Sequence, residues 1–252
     1  MSAGSSTHTQ LADLIRDAGS VVALTGAGIS VPSGIPDFRS PGTGLWANVD
    51  PMEVAHISVF EREPERFWAF YGDRFTTLRD KRPNGAHRAL VELERRGELD
   101  AVITQNIDGL HEAAGTADLV EVHGSIAHAS CLRCGRGGYA LEDVRARLAA
   151  ADDGVPRCEC GAPLKPDVVL FGEMLPEAAL TRASELAARA DLLLCVGSSL
   201  EVFPVAQLPQ ITLAAGGDVA LVTMGPTPYD SDAVLKLDGD VVAELDAVLA
   251  AL

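Results

Sequence analysis

Residues 21–40 read VVALTGAGISVPSGIPDFRS, and this stretch decides the fold. Val21–Leu24 is an apolar run suited to a buried strand. Thr25-Gly26-Ala27-Gly28-Ile29-Ser30 then places small residues where a strand turns into a helix or a loop. Glycine lets a backbone turn sharply and approach a phosphate closely, and free N–H groups at such a turn hold the anion. A full dinucleotide fingerprint asks for a third glycine where Val31 stands, with a helix to follow. Pro32, Gly34 and Pro36 break a helix there instead. The strand therefore reads as nucleotide-binding, followed by a loop that carries Asp37, Phe38 and Arg39. A charged, aromatic, proline-rich loop beside a phosphate cradle suits a lid that closes over a ligand.

Working outward, the chain repeats the theme of an apolar strand ending in small or polar residues. Leu11, Leu14, Ile15 and Ala18 have amphipathic-helix spacing before Gly19, and residues 86–96 read as a helix closed by Gly97. Residues 100–104 form a second buried strand that delivers Gln105, Asn106 and Asp108 to its C-terminal end, where open α/β sheets bind ligands. The plainer reading of Asn106 and Asp108 is capping of a helix that starts near Leu110. Val120–Val122 is a third strand, delivering His123 followed by Gly124. A neutral imidazole at an accessible strand end can act as a general base near pH 7. His8, His56, His87, His111 and His128 lack that setting and read as surface or structural. Further strands are expected at 168–171, 192–196 and 219–223, with helices at 176–189 and 240–252. Gly197-Ser198-Ser199 forms a second small-residue turn at a strand end, and Cys195 reads as a small core residue. Alternating strands and helices of this kind make a doubly wound parallel sheet.

Pro64 opens a helix with Phe67, Phe70, Tyr71, Phe75 and Leu78 along one face. Such stripes are usually core, but Tyr71 and Arg74 carry polar ends that need partners. From Ser130 the composition changes. Cys131-x-x-Cys134 and Cys158-x-Cys160 are glycine-flanked pairs joined through a short helix at 141–150. Four thiolates in two close pairs make a tetrahedral zinc site, the second pair being one residue tighter than the usual spacing. With all four positions filled by cysteine, no position is open to substrate, so such a zinc is structural.

The 252 residues allow one domain with an insertion or two small ones, and 47% hydrophobic with 22% charged residues is ordinary for a soluble globular protein. The start, MSAGSSTHTQ, has neither a basic nor an apolar stretch, so it reads as a disordered tail and not as a signal peptide. Cysteines spaced for metal rather than disulfides point to the cytoplasm. A net charge of −16 with no basic run argues against nucleic acid. It suits a basic peptide substrate, and equally it keeps a protein soluble. No apolar run approaches the roughly 20 residues of a membrane span.

GAGIS at 26–30, GIPDFR at 34–39, TQNID at 104–108, HG at 123–124, the four cysteines, FGE at 171–173 and GSSL at 197–200 occur in the order of a sirtuin. The chain resembles that family, in its bacterial type, from about Leu11 to the C-terminus. The resemblance implies a Rossmann-like doubly wound parallel sheet with an inserted small zinc-ribbon domain and a helical module. Its parts are expected at 10–38, 87–124 and 167–252 for the NAD-binding domain, at 39–86 for the cofactor-binding loop and helical module, and at 125–166 for the zinc-binding domain.

Sirtuins are NAD-dependent protein-lysine deacylases, and the resemblance assigns roles by position. Gly26, Ala27, Gly28, Ile29, Gly197, Ser198, Ser199 and Thr223 would hold the phosphates and adenosine side of NAD, with Phe38 and Arg39 from the lid. Gln105, Asn106 and Asp108 would hold the nicotinamide ribose and carboxamide. The acyl oxygen of a substrate lysine would displace nicotinamide. His123, with Asn106 as the other catalytic residue, would then take a proton from a ribose hydroxyl, so that this oxygen attacks the imidate. The products would be free lysine, nicotinamide and O-acyl-ADP-ribose. Val169, Phe171, Gly172, Glu173 and Val202 match the walls between which a substrate peptide lies as an added strand. One zinc per chain, acyl-lysine proteins as partners, and a monomeric state complete the expectation.

Two positions vary from the commonest pattern. Thr223 stands where the family usually has an asparagine, which implies weaker NAD affinity at most. Tyr71-x-x-Arg74 resembles the signature of sirtuins that prefer succinyl or malonyl groups, since an arginine fork suits a carboxylate; alternatively Arg74 points to solvent. Three rivals remain. A mono-ADP-ribosyltransferase would share the NAD site. A nicotinamide dehydrogenase is disfavoured by the missing third glycine. A zinc-ribbon binding module would not need Gln105, Asn106, Asp108 and His123 together.

Overall fold

The computed structural model describes residues 6–37 and 50–252, without the side chains of residues 51, 73–76 and 79. The expected lid residues Phe38 and Arg39, the first five residues of the expected tail, and the side chains of Arg74 and Phe75 thus lie outside the described residues.

Helix α1 (Thr7–Asp17) begins inside the expected tail, because the Ser6 hydroxyl accepts from Thr9 N and caps it. Strand β1 (Val21–Thr25) runs fully buried into a 3-10 helix at Ala27–Ser33, closed by Gly34 at φ 76°. The expected loop thus starts with a tightly wound turn, which the i→i+3 pattern permits despite Pro32. Next come α2 (Pro51–Val54), α3 (Ile57–Arg62), α4 (Pro64–Arg79), α5 (Gly85–Arg96) and β2 (Ala101–Thr104). They are followed by α6 (Leu110–Ala114), β3 (Leu119–Glu121), β4 (Gly124–Ser130), β5 (Tyr139–Ala140) and α7 (Leu141–Ala150). The last part holds β6 (Lys165–Val168), α8 (Glu177–Arg189), β7 (Leu192–Val196), α9 (Leu208–Ala215), β8 (Asp218–Val222), β9 (Leu235–Leu237) and α10 (Val241–Ala251).

Six strands form one parallel sheet in the order β3-β2-β1-β7-β8-β9. Its central strands β1, β2 and β7 are buried throughout because helices cover both faces. Leu11 and Ile15 of α1, Leu90 and Leu93 of α5, and Leu245 and Val248 of α10 pack on one face. Ala183 and Ala187 of α8 and Leu208 of α9 pack on the other. The chain leaves β1 towards β2 and returns beyond it to β7, so the crevice at the β1 and β7 ends is the switch point where such sheets bind ligands.

Two differences from the sequence reading concern strands. Residues 168–171 are not a strand of the parallel sheet. Strand β6 ends at Val168 and pairs antiparallel with β4, in a separate three-stranded sheet of order β5-β4-β6. The sequence reading also ended the parallel sheet at residues 219–223, whereas the three-residue β9 adds an edge strand paired with β8. Strands that short have too few residues to show a period.

A third apolar cluster joins Phe60, Phe67 and Trp68 to Ile126, Tyr139, Val144, Val155, Leu164 and the cysteines Cys131 and Cys158. It packs α4 onto the small sheet, with Trp68 Nε1 donating to Leu164 O at 3.1 Å. Among the described residues no helix is long and apolar enough to cross a membrane.

Candidate functional site

The ends of β1, β2, β3 and β7 meet in the crevice, and backbone contact between two glycine turns sets its floor. Gly28 N donates to Gly197 O at 2.8 Å, and Gly26 N donates to Val196 O at 3.1 Å. A Cβ on Gly28 would lie 2.7 Å from Gly197 O. A Cβ on Gly197, whose φ is 61°, would collide with Ile29 N. These glycines are therefore required by chain against chain, in addition to any approach of a phosphate.

Polar side chains then lock the strand ends together. Ser30 is buried; its hydroxyl donates to Asp108 Oδ2 at 2.7 Å and accepts from Asn106 Nδ2 at 3.1 Å. Asn106 Nδ2 also donates to Gly26 O at 3.1 Å. Asp108 Oδ1 accepts from Leu110 N at 2.9 Å at the entry to α6, whose N-cap is Gly109 and not Asn106 or Asp108, while its other oxygen holds Ser30. Burial pushes the Asp108 carboxyl above its usual range, against the lowering effect of those two hydrogen bonds. Gln105 Nε2 donates to Ser198 Oγ at 2.9 Å, bridging the second strand end to the fourth. Ser198 is buried and Ser199 exposed. Leu200 follows at φ 56°, a left-handed conformation that a branched side chain adopts only under constraint. Thr223 is 7% exposed at the end of β8, with its N–H on Leu237 O.

His123 is held by both ends. Its Nδ1 lies 2.9 Å from Gln105 O, and a carbonyl only accepts, so Nδ1 carries the proton and Nε2 the lone pair. Burial lowers the pKa of the ring, partly countered by that hydrogen bond, and so keeps the imidazole neutral. The His123 carbonyl accepts from Val169 N at 2.8 Å, which brings the segment after β6 alongside the crevice. Within that segment Val168 and Leu170 are buried, whereas Val169 is half-buried and Phe171 is 42% exposed, the alternation of an extended chain. Phe171 N donates to Ala55 O at 3.0 Å and Phe171 O accepts from Ile57 N at 2.9 Å. Gly172 (φ 86°) lies against the His56 ring, where a Cβ would stand 2.5 Å from Nε2. Val202 is half-buried on the loop after Leu200. Tyr71 packs its half-buried ring at 4.8 Å from Phe67 and 4.9 Å from Phe70, so it belongs to the α4 cluster.

Sequence reasoning missed the residues beneath the floor. Asn84 caps α5 and donates to Ile29 O at 2.7 Å and Ser33 Oγ at 2.9 Å, tying down the 3-10 helix. His87 Nδ1 accepts from Asn84 N at 3.4 Å, which puts its proton on Nε2. The Thr25 hydroxyl donates to Thr104 Oγ1 at 2.8 Å, so His111 Nε2, at 2.9 Å from Thr25 Oγ1, is the donor there and Nδ1 is left as an acceptor. The two rings lie 4.9 Å apart, centroid to centroid. His87 Nε2–H and His111 Nδ1 are both buried and have no hydrogen-bond partner among the described residues. Burial lowers His87 to about 4 and His111 to about 3. The spacing Asn84-x-x-His87 before an apolar periodic run was the available signal.

Cys131, Cys134, Cys158 and Cys160 converge, their sulfurs all within 4.8 Å of one another. The Cys131–Cys160 and Cys134–Cys158 Sγ separations are 3.5 and 3.6 Å. A tetrahedron with Zn–S bonds of about 2.3 Å has edges of about 3.8 Å, so the four thiols fit zinc. Each pair sits on a tight turn: Gly135 N donates to Cys131 O at 2.9 Å, and Gly161 N to Cys158 O at 2.8 Å. The shorter Cys158-x-Cys160 spacing thus still closes its turn. Around it, Tyr139 OH meets Cys158 Sγ at 3.3 Å and also Glu159, which Arg136 and Arg147 pair at 2.9 and 2.5 Å.

A six-stranded doubly wound sheet with its polar strand ends gathered at the switch point, and a four-cysteine metal module beside it, defines a nucleotide-binding α/β protein. Residues 26–204 match the model of the Sir2 family. The chain is 46% identical over 228 residues to an NAD-dependent protein deacetylase of Sulfolobus acidocaldarius, covering 90% of this chain and 88% of that protein. It is 44% identical over 229 residues to an NAD-dependent protein deacylase of Thermococcus sibiricus, covering 89% of each. A Sir2 structure with a p53 peptide and NAD+ superposes with a TM-score of 0.88 at 41% identity, over 96% of both chains. A Sir2 structure bound to a propionylated peptide gives 0.87 at 41% identity, over 96% of both chains. The chain belongs to the Sir2 family, the sirtuins.

Proposed function

We infer that this chain is an NAD-dependent protein-lysine deacylase that moves the acyl group to ADP-ribose and releases nicotinamide. The observation that carries the reading is His123. It is a neutral imidazole with its Nε2 lone pair free to take a proton, fixed through Gln105 O at the switch-point crevice and through its carbonyl to Val169. NAD, consumed as co-substrate, supplies the ADP-ribosyl acceptor.

In this reading Gly26, Ala27, Gly28, Ile29, Gly197, Ser198, Ser199 and Thr223 line the phosphate and adenosine side, with Phe38 and Arg39 closing over it. Gln105, Asn106 and Asp108 hold the nicotinamide ribose and carboxamide. Ser30 and Ser198 support this reading, because they fix those three side chains before a ligand arrives. His123 Nε2 accepts the proton of a ribose hydroxyl. Val169, Phe171, Gly172, Glu173 and Val202 flank the added peptide strand. The four cysteines hold one structural zinc, which folds the small module and leaves no open position for chemistry. The thiols suit a reducing compartment, and the enzyme works as a monomer in the cytoplasm.

The test is a mass-spectrometric assay with NAD and matched acetyl-, succinyl- and malonyl-lysine peptides, with Arg74→Met alongside. Acyl-ADP-ribose formed in step with free lysine is the expected result. ADP-ribose on protein without peptide turnover would sink it in favour of a transferase. Acidic-acyl turnover that collapses in Arg74→Met makes Tyr71 and Arg74 the acyl selector. Acetyl preference with an indifferent variant makes the enzyme an ordinary deacetylase.

A further inference from the structure

Among the described residues Lys165 is the one buried lysine, 7% exposed at the first position of β6. Its ammonium has three protons and meets three acceptors: Val168 O at 2.7 Å, Glu173 Oε2 at 2.9 Å and Pro166 O at 3.2 Å. The Glu173 side chain is 24% exposed, and its Oε2 also accepts from Leu170 N at 2.8 Å. Glu173 N donates in turn to Leu170 O at 3.0 Å. The pair therefore joins the first and last residues of 165–173 across the stretch that lies beside His123. Between the two ends sits Val169, whose N–H is on the His123 carbonyl.

A buried ion pair contributes little net stability, because desolvation offsets the Coulomb gain. Here it does something an apolar pair would not. It satisfies Val168 O and Leu170 N from the inside, so Val168 and Leu170 point into the core while Val169 and Phe171 face outward. We propose that Lys165 and Glu173 are positioning residues for the substrate peptide: a clamp that holds 168–171 extended so that a peptide backbone adds beside it. Glu173 then acts through Leu170 and Lys165 and not by touching substrate. The inference rests on the deacylase reading for the identity of the peptide.

The test compares wild type, Lys165→Arg and the double variant Lys165→Met/Glu173→Met, in zinc-replete protein. Peptide Kd is read by fluorescence anisotropy, and kcat and KM with two substrates: an acyl-lysine peptide extended on both sides, and an acyl-lysine with blocked ends and no flanking residues. Removing both charges is expected to leave a folded protein, since apolar replacement of a buried pair is commonly tolerated. The extended peptide's Kd and KM rise about tenfold, well in excess of any change in the KM for NAD or in turnover of the blocked acyl-lysine. Lys165→Arg keeps the wild-type Kd. An unchanged peptide Kd in the double variant overturns the clamp, as does a parallel loss on the blocked substrate or on NAD, which a merely structural role would give. If the double variant does not fold, Glu173→Gln carries the comparison. Its amide oxygen still serves Leu170 while the ionic contact is gone, so a Kd rise of about threefold is expected and no rise overturns. Wild-type protein that binds the peptide without turning it over would fail the deacylase reading alone, and the clamp would still stand or fall on the variants' Kd.

Discussion

The crevice of the parallel sheet and the cysteine module are held together by different physics. The crevice floor rests on strands buried on both faces, and its polar groups satisfy one another: Ser30 with Asp108 and Asn106, Gln105 with Ser198. The module has a three-stranded sheet, one of its strands only two residues long, and its apolar cluster includes two of the metal-ligating cysteines themselves. A small core of that kind depends on a cross-link. One region is pre-formed by the chain; the other is completed by an ion.

Removing the metal breaks the comparison most directly. Chelation, or Cys131→Ser, is expected to unfold the module, since structural zinc contributes on the order of 10 kcal/mol. Hydrogen exchange should then show β4, β5 and β6 losing protection while β1, β2 and β7 keep theirs. Equal loss in both sheets would mean that the two regions fold as one unit.

His123→Ala touches only the crevice. It should lower kcat by about 10²–10⁴-fold with NAD affinity and zinc content retained. Near wild-type turnover would remove the general-base role. Because burial lowers the pKa of His123, the acid limb of the wild-type rate profile should lie below the pH of an exposed histidine.

Acid should weaken the sheet from beneath the crevice. His87 titrates at about 4 and His111 at about 3 in the folded protein, below the ordinary histidine value of 6.5. The unfolded chain therefore binds more protons between about 3 and 6.5, and stability falls as pH drops through that window, by several kcal/mol. Urea unfolding at pH 7 and pH 5 measures it, and equal midpoints would contradict neutral buried rings. Thr223→Asn is the smallest change. A second polar group at the end of β8 should tighten NAD by about fivefold or less, near 1 kcal/mol, read by calorimetry.

Much of this site was legible along the chain because its residues come in contiguous runs at strand ends. Gly26–Ser30, Gln105–Asp108, His123 and Gly197–Ser199 each follow an apolar strand, and a parallel sheet brings its C-terminal strand ends to one edge. The cysteine pairs were legible because ligand spacing within a turn is local. Residues 168–171 misled because an apolar extended run looks the same whether it pairs in a parallel sheet or lines a cleft.

What the sequence determined by itself was therefore the class of sheet, the metal module and the set of polar residues at the strand ends. Each depends on periodicity or short spacing, which a linear chain carries. Only the tertiary structure decided that Gly28 and Gly197 need each other, that the buried rings of His87 and His111 lie 4.9 Å apart, and that Lys165 and Glu173 pair across the segment hydrogen-bonded to His123. Those facts are contacts, several of them between residues far apart in the chain, and burial, which a linear chain does not display, is the main cause of the lowered pKa of His87 and His111.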